Sequence, residues 1–208
     1  MELKERFRGY LPVVIDFETG GFDADQNPLL EVACSFLGWR DTHLFVSETH
    51  SWDVEPYPGL TIDPASLKVT GIDLDSRSDS VADEKVVMSE FFKLVRSQMK
   101  AVGCHRAVMV AHNAAFDAGF LSAVLKRQNM KRNPFHPFTT IDTATLGAVA
   151  FGHTVLSEIC QRAGIEFDRD LAHSAKYDAE RTAQVFCEIV NTWPLNTDSW
   201  KKEGVPSA

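Results

Sequence analysis

The sequence has no apolar run approaching the ~20 residues of a membrane span, which excludes a helical membrane protein as its class. Its opening, MELKERFRGYLP, is charged and contains no apolar stretch of the secretory-signal type. A cytoplasmic location and no membrane partner are therefore expected. Cysteine is sparse. Cys34, Cys104, Cys160 and Cys187 lie far apart without a Cys-x-x-Cys, which excludes a zinc site or a disulfide framework and reads as reduced, packed thiols. Positive charge is not in excess: 21 Lys and Arg stand against 29 Asp and Glu, a net charge of −8. That balance does not advertise nucleic-acid binding, although net charge is a sum and local patches decide binding. Repeats, linkers and low-complexity segments are missing as well. The 208 residues, 44% hydrophobic, suffice for one well-buried core, so a single domain over 1–208 is expected, with a frayed tail from about 195.

What is present is organised around Val13-Val14-Ile15-Asp16-Phe17-Glu18-Thr19-Gly20-Gly21. The β-branched run reads as a buried strand and the glycines as the turn that ends it. Side chains on a strand alternate faces, so Asp16 and Glu18 point the same way. Two carboxylates at the end of a core strand are costly to desolvate unless a cation is present, and a hard, oxygen-preferring ion such as Mg²⁺ or Mn²⁺ suits them. Taken alone, Asp-x-Glu fits two exposed acids on an edge strand better than a metal site.

Along the chain, strands are expected over 12–18, 29–37 and 43–51, joined as an antiparallel meander. Residues 1–10 read as an ordered lead-in and 52–63 as irregular. A short helix follows over 65–70, an acidic loop over 72–81 and an amphipathic helix over 83–100. RAVMVA at 106–111 is a buried strand of the parallel type, followed by a helix over 114–127. A basic, proline-broken segment at 128–137 precedes a strand at 138–142 and helices at 143–150, 155–163 and 174–193. The class is α/β: a mixed five-stranded sheet flanked by helices, with acids from strand ends and first helical turns converging on one sheet edge.

Three further residues extend the opening motif. Asp117 falls in the first turn of the helix after 106–111, where the helix dipole alone would favour an acid. His173 and Asp178 open the last helix. Their spacing suits a His on the lead-in loop and an Asp in the second turn. Each alone is an ordinary surface or capping group. Together they are four acids and a histidine, each at the junction of a core element.

This set resembles the Asp-Glu-Asp-Asp-plus-His class of 3′→5′ exonucleases. Within it the chain is similar to the bacterial ribonuclease T family, through RFRGYLPVVIDFETGGF, GCHRAVMVAHNAAFD, KRNPFHPFTTIDTATL and AHSAKYDAERTAQVFCEIVN. The resemblance implies a ribonuclease-H-like fold. It implies two Mg²⁺ ions per active site, replaceable by Mn²⁺, on Asp16, Glu18, Asp117 and Asp178, with His173 as the general base. Phe22, Phe116 and Phe138 match positions of base-stacking phenylalanines, which otherwise read as core. Arg6, Arg8, Lys100, Arg106 and Lys131 match a basic patch that grips the RNA backbone across a homodimer. The implied activity is trimming of short single-stranded 3′ ends of transfer RNA and other stable RNA precursors. Single-stranded DNA is expected as a further substrate. Ala65 and Val69 depart from the family pattern, standing where an acid and another stacking phenylalanine are common. Two other readings share the scaffold: a DNA proofreading or repair exonuclease, against which KRNPFHPF and the basic N-terminus argue, and an inactive RNA-binding module, which has no need of all five site residues.

Overall fold

The computed structural model describes residues 2–77 and 81–193. The expected frayed tail and residues 78–80 of the acidic loop lie outside them. Four-residue α1 (Leu3–Arg6) leads into β1 (Tyr10–Thr19). β2 (Leu29–Arg40) and β3 (His43–Glu55) complete the meander. Then come α2 (Pro64–Thr70), β4 (Ala82–Asp83), α3 (Glu84–Ala101), β5 (Arg106–Ala111), α4 (Ala114–Arg127), β6 (Phe135–Asp142), α5 (Thr143–Phe151), α6 (Leu156–Ala163) and α7 (Ala175–Thr192).

The sheet runs in the order β4-β3-β2-β1-β5-β6, with β1–β2 and β2–β3 antiparallel and β1–β5, β5–β6 and β3–β4 parallel. It has six strands where five are expected. The sixth, β4, is two residues long, too short to leave a periodic signal. Its Asp83 also caps α3, accepting from Lys85 N at 2.7 Å. β3 continues to Glu55 through residues that read as irregular, because β2 offers partners as far as Glu31↔Asp53. β6 starts at Phe135, ahead of Pro137. The proline is tolerated because the β5–β6 register slips between Ala107↔Phe135 and Met109↔Thr140, leaving it outside the ladder.

β1 lies inside the sheet, and Leu11 to Ile15 are buried on both faces, which is why the segment is apolar without alternation. The pairings Asp16↔Ala33 and Glu18↔Glu31 put those four residues on one face. Ala33 there meets Ala175 and Ala179 of α7, small side chains that let the helix come close to the sheet. The other face carries an aromatic layer reaching from Trp52 to Phe91 of α3 and on to Phe135. A buried ion pair joins two helices: Arg127 donates through Nε to Glu84 at 2.9 and 3.1 Å and through Nη2 to Glu84 Oε2. Arg127 Nη1 also donates to the Ala24 carbonyl at 3.2 Å, so this pair fastens the loop after β1. All four cysteines are buried and free. Among the described residues, no helix is long and apolar enough to cross a membrane.

Candidate active site

β5 pairs with β1 only as far as Val14↔Val110. Beyond that point the Phe17 N–H has no partner on β5, and Asp117 Oδ1 accepts it at 3.1 Å. Asp117 thereby reaches between Asp16 and Glu18. It is almost fully buried, at 3% exposure. The turn after Glu18 is tight. A Cβ on Gly20 would lie 2.9 Å from the Pro28 ring and 3.2 Å from Ile62, so a glycine is needed where these segments cross. Ser66 of α2 donates to the Thr19 carbonyl at 2.6 Å, bringing α2 to the site.

α7 delivers the rest. His173 adopts a left-handed φ of 66°. Its N–H donates to Asp178 Oδ2 at 3.0 Å, folding the loop back on the helix so that His173 and Asp178 face the strand. One donor atom each from Glu18, His173 and Asp178 lie within 4.8 Å of one another. A cleft of about 510 Å³ is lined by all five expected site residues, with Phe22, Phe116, His112, Ala65 and Val69 among its other walls.

The electrostatics of the cleft are those of acids without a counter-charge. Burial, with Asp117, Glu18, Asp178 and Glu31 adding repulsion, drives the Asp16 carboxyl well above its usual range. Burial likewise pushes Glu18 to about 9, with Asp178, Glu31 and Asp117 contributing. Asp117 rises to about 8, mainly through burial and despite the Phe17 hydrogen bond. Asp178 is raised by burial, against the pull of the His173 N–H and the histidine charge. Asp178 Oδ1 is buried and has no hydrogen-bond partner among the described residues. An all-oxygen set of acids that cannot all ionise together, with an orphaned carboxylate oxygen, fits a hard divalent cation.

A family model described as "Exonuclease" matches residues 13–186. Ribonuclease T of Shewanella frigidimarina (strain NCIMB 400) is 50% identical over 193 residues, 92% of this chain and 87% of that protein. The chain belongs to the ribonuclease T family. It is a 3′→5′ exoribonuclease, a hydrolase of phosphodiester bonds. The fold is also that of the nuclease domain of 3'hExo, a DEDDh family member solved with rAMP (TM-score 0.68, 16% identity, 86% of this chain and 90% of that one). It is shared with E. coli exonuclease I, solved as a zinc-bound complex with single-stranded DNA (TM-score 0.65, 16% identity, 88% of this chain and 40% of that one). The DEDDh exonucleases are divalent-metal dependent.

The sequence-predicted residues do not all gather at the cleft. Phe22, 86% exposed, meets Phe116 edge-on at 6.3 Å on the cleft wall. Phe138 does not line the cleft; it stands 90% exposed on β6, edge-on to His136. The basic residues sit at the opposite end of the sheet. Arg6 and Arg8 precede β1, Arg106 opens β5, Lys131 precedes β6 and Lys100 lies in the last turn of α3. Arg8, Lys100 and Lys131 are exposed. Arg6 and Arg106 are half-buried and donate to the carbonyls of Trp193 and Asn133, both at 3.3 Å. Two neighbours of the site escape sequence reasoning. His112 lines the cleft, but its ring nitrogens are occupied by Thr143 Oγ1 at 3.1 Å and the Thr154 carbonyl at 2.9 Å, and burial pushes its pKa down. Glu31 stands opposite Glu18 and adds to its charge repulsion. Its only trace in the sequence is a single acid within the apolar run LLEVACSFL.

Proposed function

We propose that this exoribonuclease trims short single-stranded 3′ tails beside a duplex in transfer RNA and other stable RNA precursors. It does so as one catalytic domain, with Mg²⁺ as its working ion and Mn²⁺ able to replace it. The observation that carries the reading is the convergence of Asp16, Glu18, Asp117, Asp178 and His173 on a cleft walled by Phe22 and Phe116. The four acids would hold two Mg²⁺ ions, whose chemistry is to lower the pKa of water and to offset charge on the phosphate and the leaving oxygen. His173, exposed on its loop, takes a proton from the attacking water. The water oxygen bonds to phosphorus as the bond to the 3′ oxygen breaks. The shortened RNA keeps a 3′-hydroxyl, and the terminal nucleotide leaves as a 5′-monophosphate.

Phe22 and Phe116 stack the terminal bases without reading a long sequence. Phe138, outside the cleft, meets a nucleotide farther from the 3′ end. Arg6, Arg8, Lys100, Arg106 and Lys131 hold phosphates of the stem. Tyr10, at the basic end, and Asp16 are six positions apart on β1, roughly 20 Å along the strand. That separation supports a homodimer in which one subunit holds the stem and the other cuts. Single-stranded DNA, which offers the same stacking and phosphate chemistry, is a second substrate, and the working compartment is the cytoplasm.

A time course on 5′-labelled RNA with a hairpin stem and a short 3′ overhang, with Mg²⁺ or with EDTA, tests this. The expected result is stepwise shortening from the 3′ end that stops near the duplex and is abolished by EDTA. Intact RNA in both lanes, with the hairpin still shifted on a gel, would make the protein a binding module.

A further inference from the structure

The two helices that bring acids to the cleft share a feature at their first turns. α4 begins at Asn113, whose left-handed φ of 63° leaves its side chain without a capping hydrogen bond. α7 begins at Ser174, whose side chain also makes none. By contrast α2, α3 and α5 begin at Asp63, Asp83 and Asp142, each capping its own helix. At α4 and α7 an acid from a strand takes over. Asp142, at the end of β6, accepts from Asn113 N at 2.9 Å and Ala114 N at 3.4 Å. Glu31, on β2, accepts through Oε2 from Ala175 N at 3.1 Å.

The contact at Glu31 has a consequence for the site. Glu31 is the cross-strand partner of Glu18. Ala175 lies between His173, two residues before it, and Asp178, three residues after it. One hydrogen bond therefore ties the start of α7 to the strand pair that carries Glu18. The neighbouring contact of α7 with the sheet is Ala33 against Ala175 and Ala179, small apolar groups that permit sliding. A directional bond from a buried N–H to a carboxylate restricts it. Catalytic constellations require placement within about 0.5 Å, and groups behind the ligands commonly supply it.

We propose that Glu31 is a positioning residue: its hydrogen bond to the Ala175 N–H fixes α7 so that Asp178 and His173 stand at working distance from Glu18. This rests on the assignment of Asp178 and His173 to the active site. Asp142 serves α4 in the same way but also caps α5, so Glu31 gives the cleaner test.

The experiment compares wild type, Glu31→Met and Glu31→Gln on the hairpin RNA with a 3′ overhang, measuring kcat, KM and the Mg²⁺ concentration for half-maximal rate. Methionine keeps the length of the side chain but accepts no comparable bond. Glutamine keeps an acceptor oxygen and loses the charge. Glu31→Met is expected to raise the half-saturating Mg²⁺ concentration and lower kcat by about tenfold each, with KM for RNA within about twofold. Glu31→Gln is expected to stay within about threefold of wild type throughout. A residue that serves stability alone would change the folded fraction but leave the Mg²⁺ dependence of the folded enzyme unmoved. Wild-type behaviour of Glu31→Met overturns the proposal. So does a Glu31→Gln as impaired as Glu31→Met, since the charge and not the hydrogen bond would then matter. Should Glu31→Met fail to fold, Glu31→Gln decides. Unchanged Mg²⁺ dependence with a protected Ala175 amide in hydrogen exchange supports the cap, and a tenfold shift overturns it. A wild-type enzyme without metal-dependent trimming is a different failure, because it removes the site assignment itself.

Discussion

The carboxylate of Asp117 accepts the backbone N–H of Phe17 at 3.1 Å, across 100 residues of chain. The bond occupies the place where the parallel ladder between β5 and β1 stops. It sets the first turn of α4 between the two acids of β1. Asparagine at 117 keeps an acceptor for Phe17 but removes a charge that the proposed mechanism uses to hold a cation. Asp117→Asn is expected to fold and bind RNA like wild type. Its cleavage rate should fall by roughly 10³-fold, the equivalent of several kcal/mol of lost charge stabilisation. Single-turnover rates, read beside a gel-shift titration, check this.

Proton linkage gives a second expectation. Burial pushes the Glu18 carboxyl up to about 9 and that of Asp117 up to about 8, against ordinary values of 4.5 and 3.8. The folded chain therefore holds more protons than the unfolded chain between these limits. The stability associated with these groups is fully present below about pH 4 and is lost as pH rises through 8 and 9. In EDTA the melting temperature should fall between pH 5 and pH 9, and added Mg²⁺ should restore it most at the alkaline end. Thermal melts across that range are the check, and a Tm that climbs with pH in EDTA would contradict the assignment.

Phe22 and Phe116 differ in what removing them should do. Phe22 is 86% exposed, so Phe22→Ala should leave Tm unchanged while raising KM for a single-stranded tail by about tenfold, the loss of one stacked base. Phe116 also packs on Phe120, with centroids 4.9 Å apart. Phe116→Ala should therefore raise KM and lower Tm together. Steady-state kinetics paired with melts separates the two.

Ala65 and Val69 line the cleft on α2, and neither offers a ring or a polar group to the terminal base. Terminal A and terminal C are expected to be removed at about equal rates. Val69→Phe adds a stacking surface and should lower KM by about tenfold. Strong stalling of the wild type at terminal C would show that another residue supplies base discrimination.

Lys100 is exposed at the basic end of the sheet, away from the acids. Lys100→Ala should weaken binding of the RNA stem and reduce the slope of log affinity against log salt by about 0.7–0.9, one phosphate contact. The rate on a short, unstructured oligonucleotide should not change. Binding isotherms at several salt concentrations supply the slope.

Much of this protein was determined locally. Alternation along β1 puts Asp16 and Glu18 on one face whatever surrounds them. The apolar pattern and flanking residues set β5 at 106–111 and α4 at 114–127 with the expected bounds. The residues of HNAAFD place Asp117 in a first helical turn, as expected, and Asp117, Asp178 and His173 all reach the cleft; Asp178, expected in the second turn of the last helix, lies in the first turn of α7, because that helix begins at Ala175 rather than Ser174. What only the tertiary structure decided depends on partners distant in the chain. β4 exists because β3 offers it an edge, and β6 admits Pro137 because its register with β5 slips. Phe138, equivalent to Phe22 as a sequence signal, stands away from the cleft. The caps on α4 and α7 come from strands far along the chain, so nothing near Asn113 or Ser174 announces them. Periodicity and capping signals operate within a few residues. A hydrogen bond between Glu31 and Ala175 spans 144, and only the folded sheet brings its two ends together.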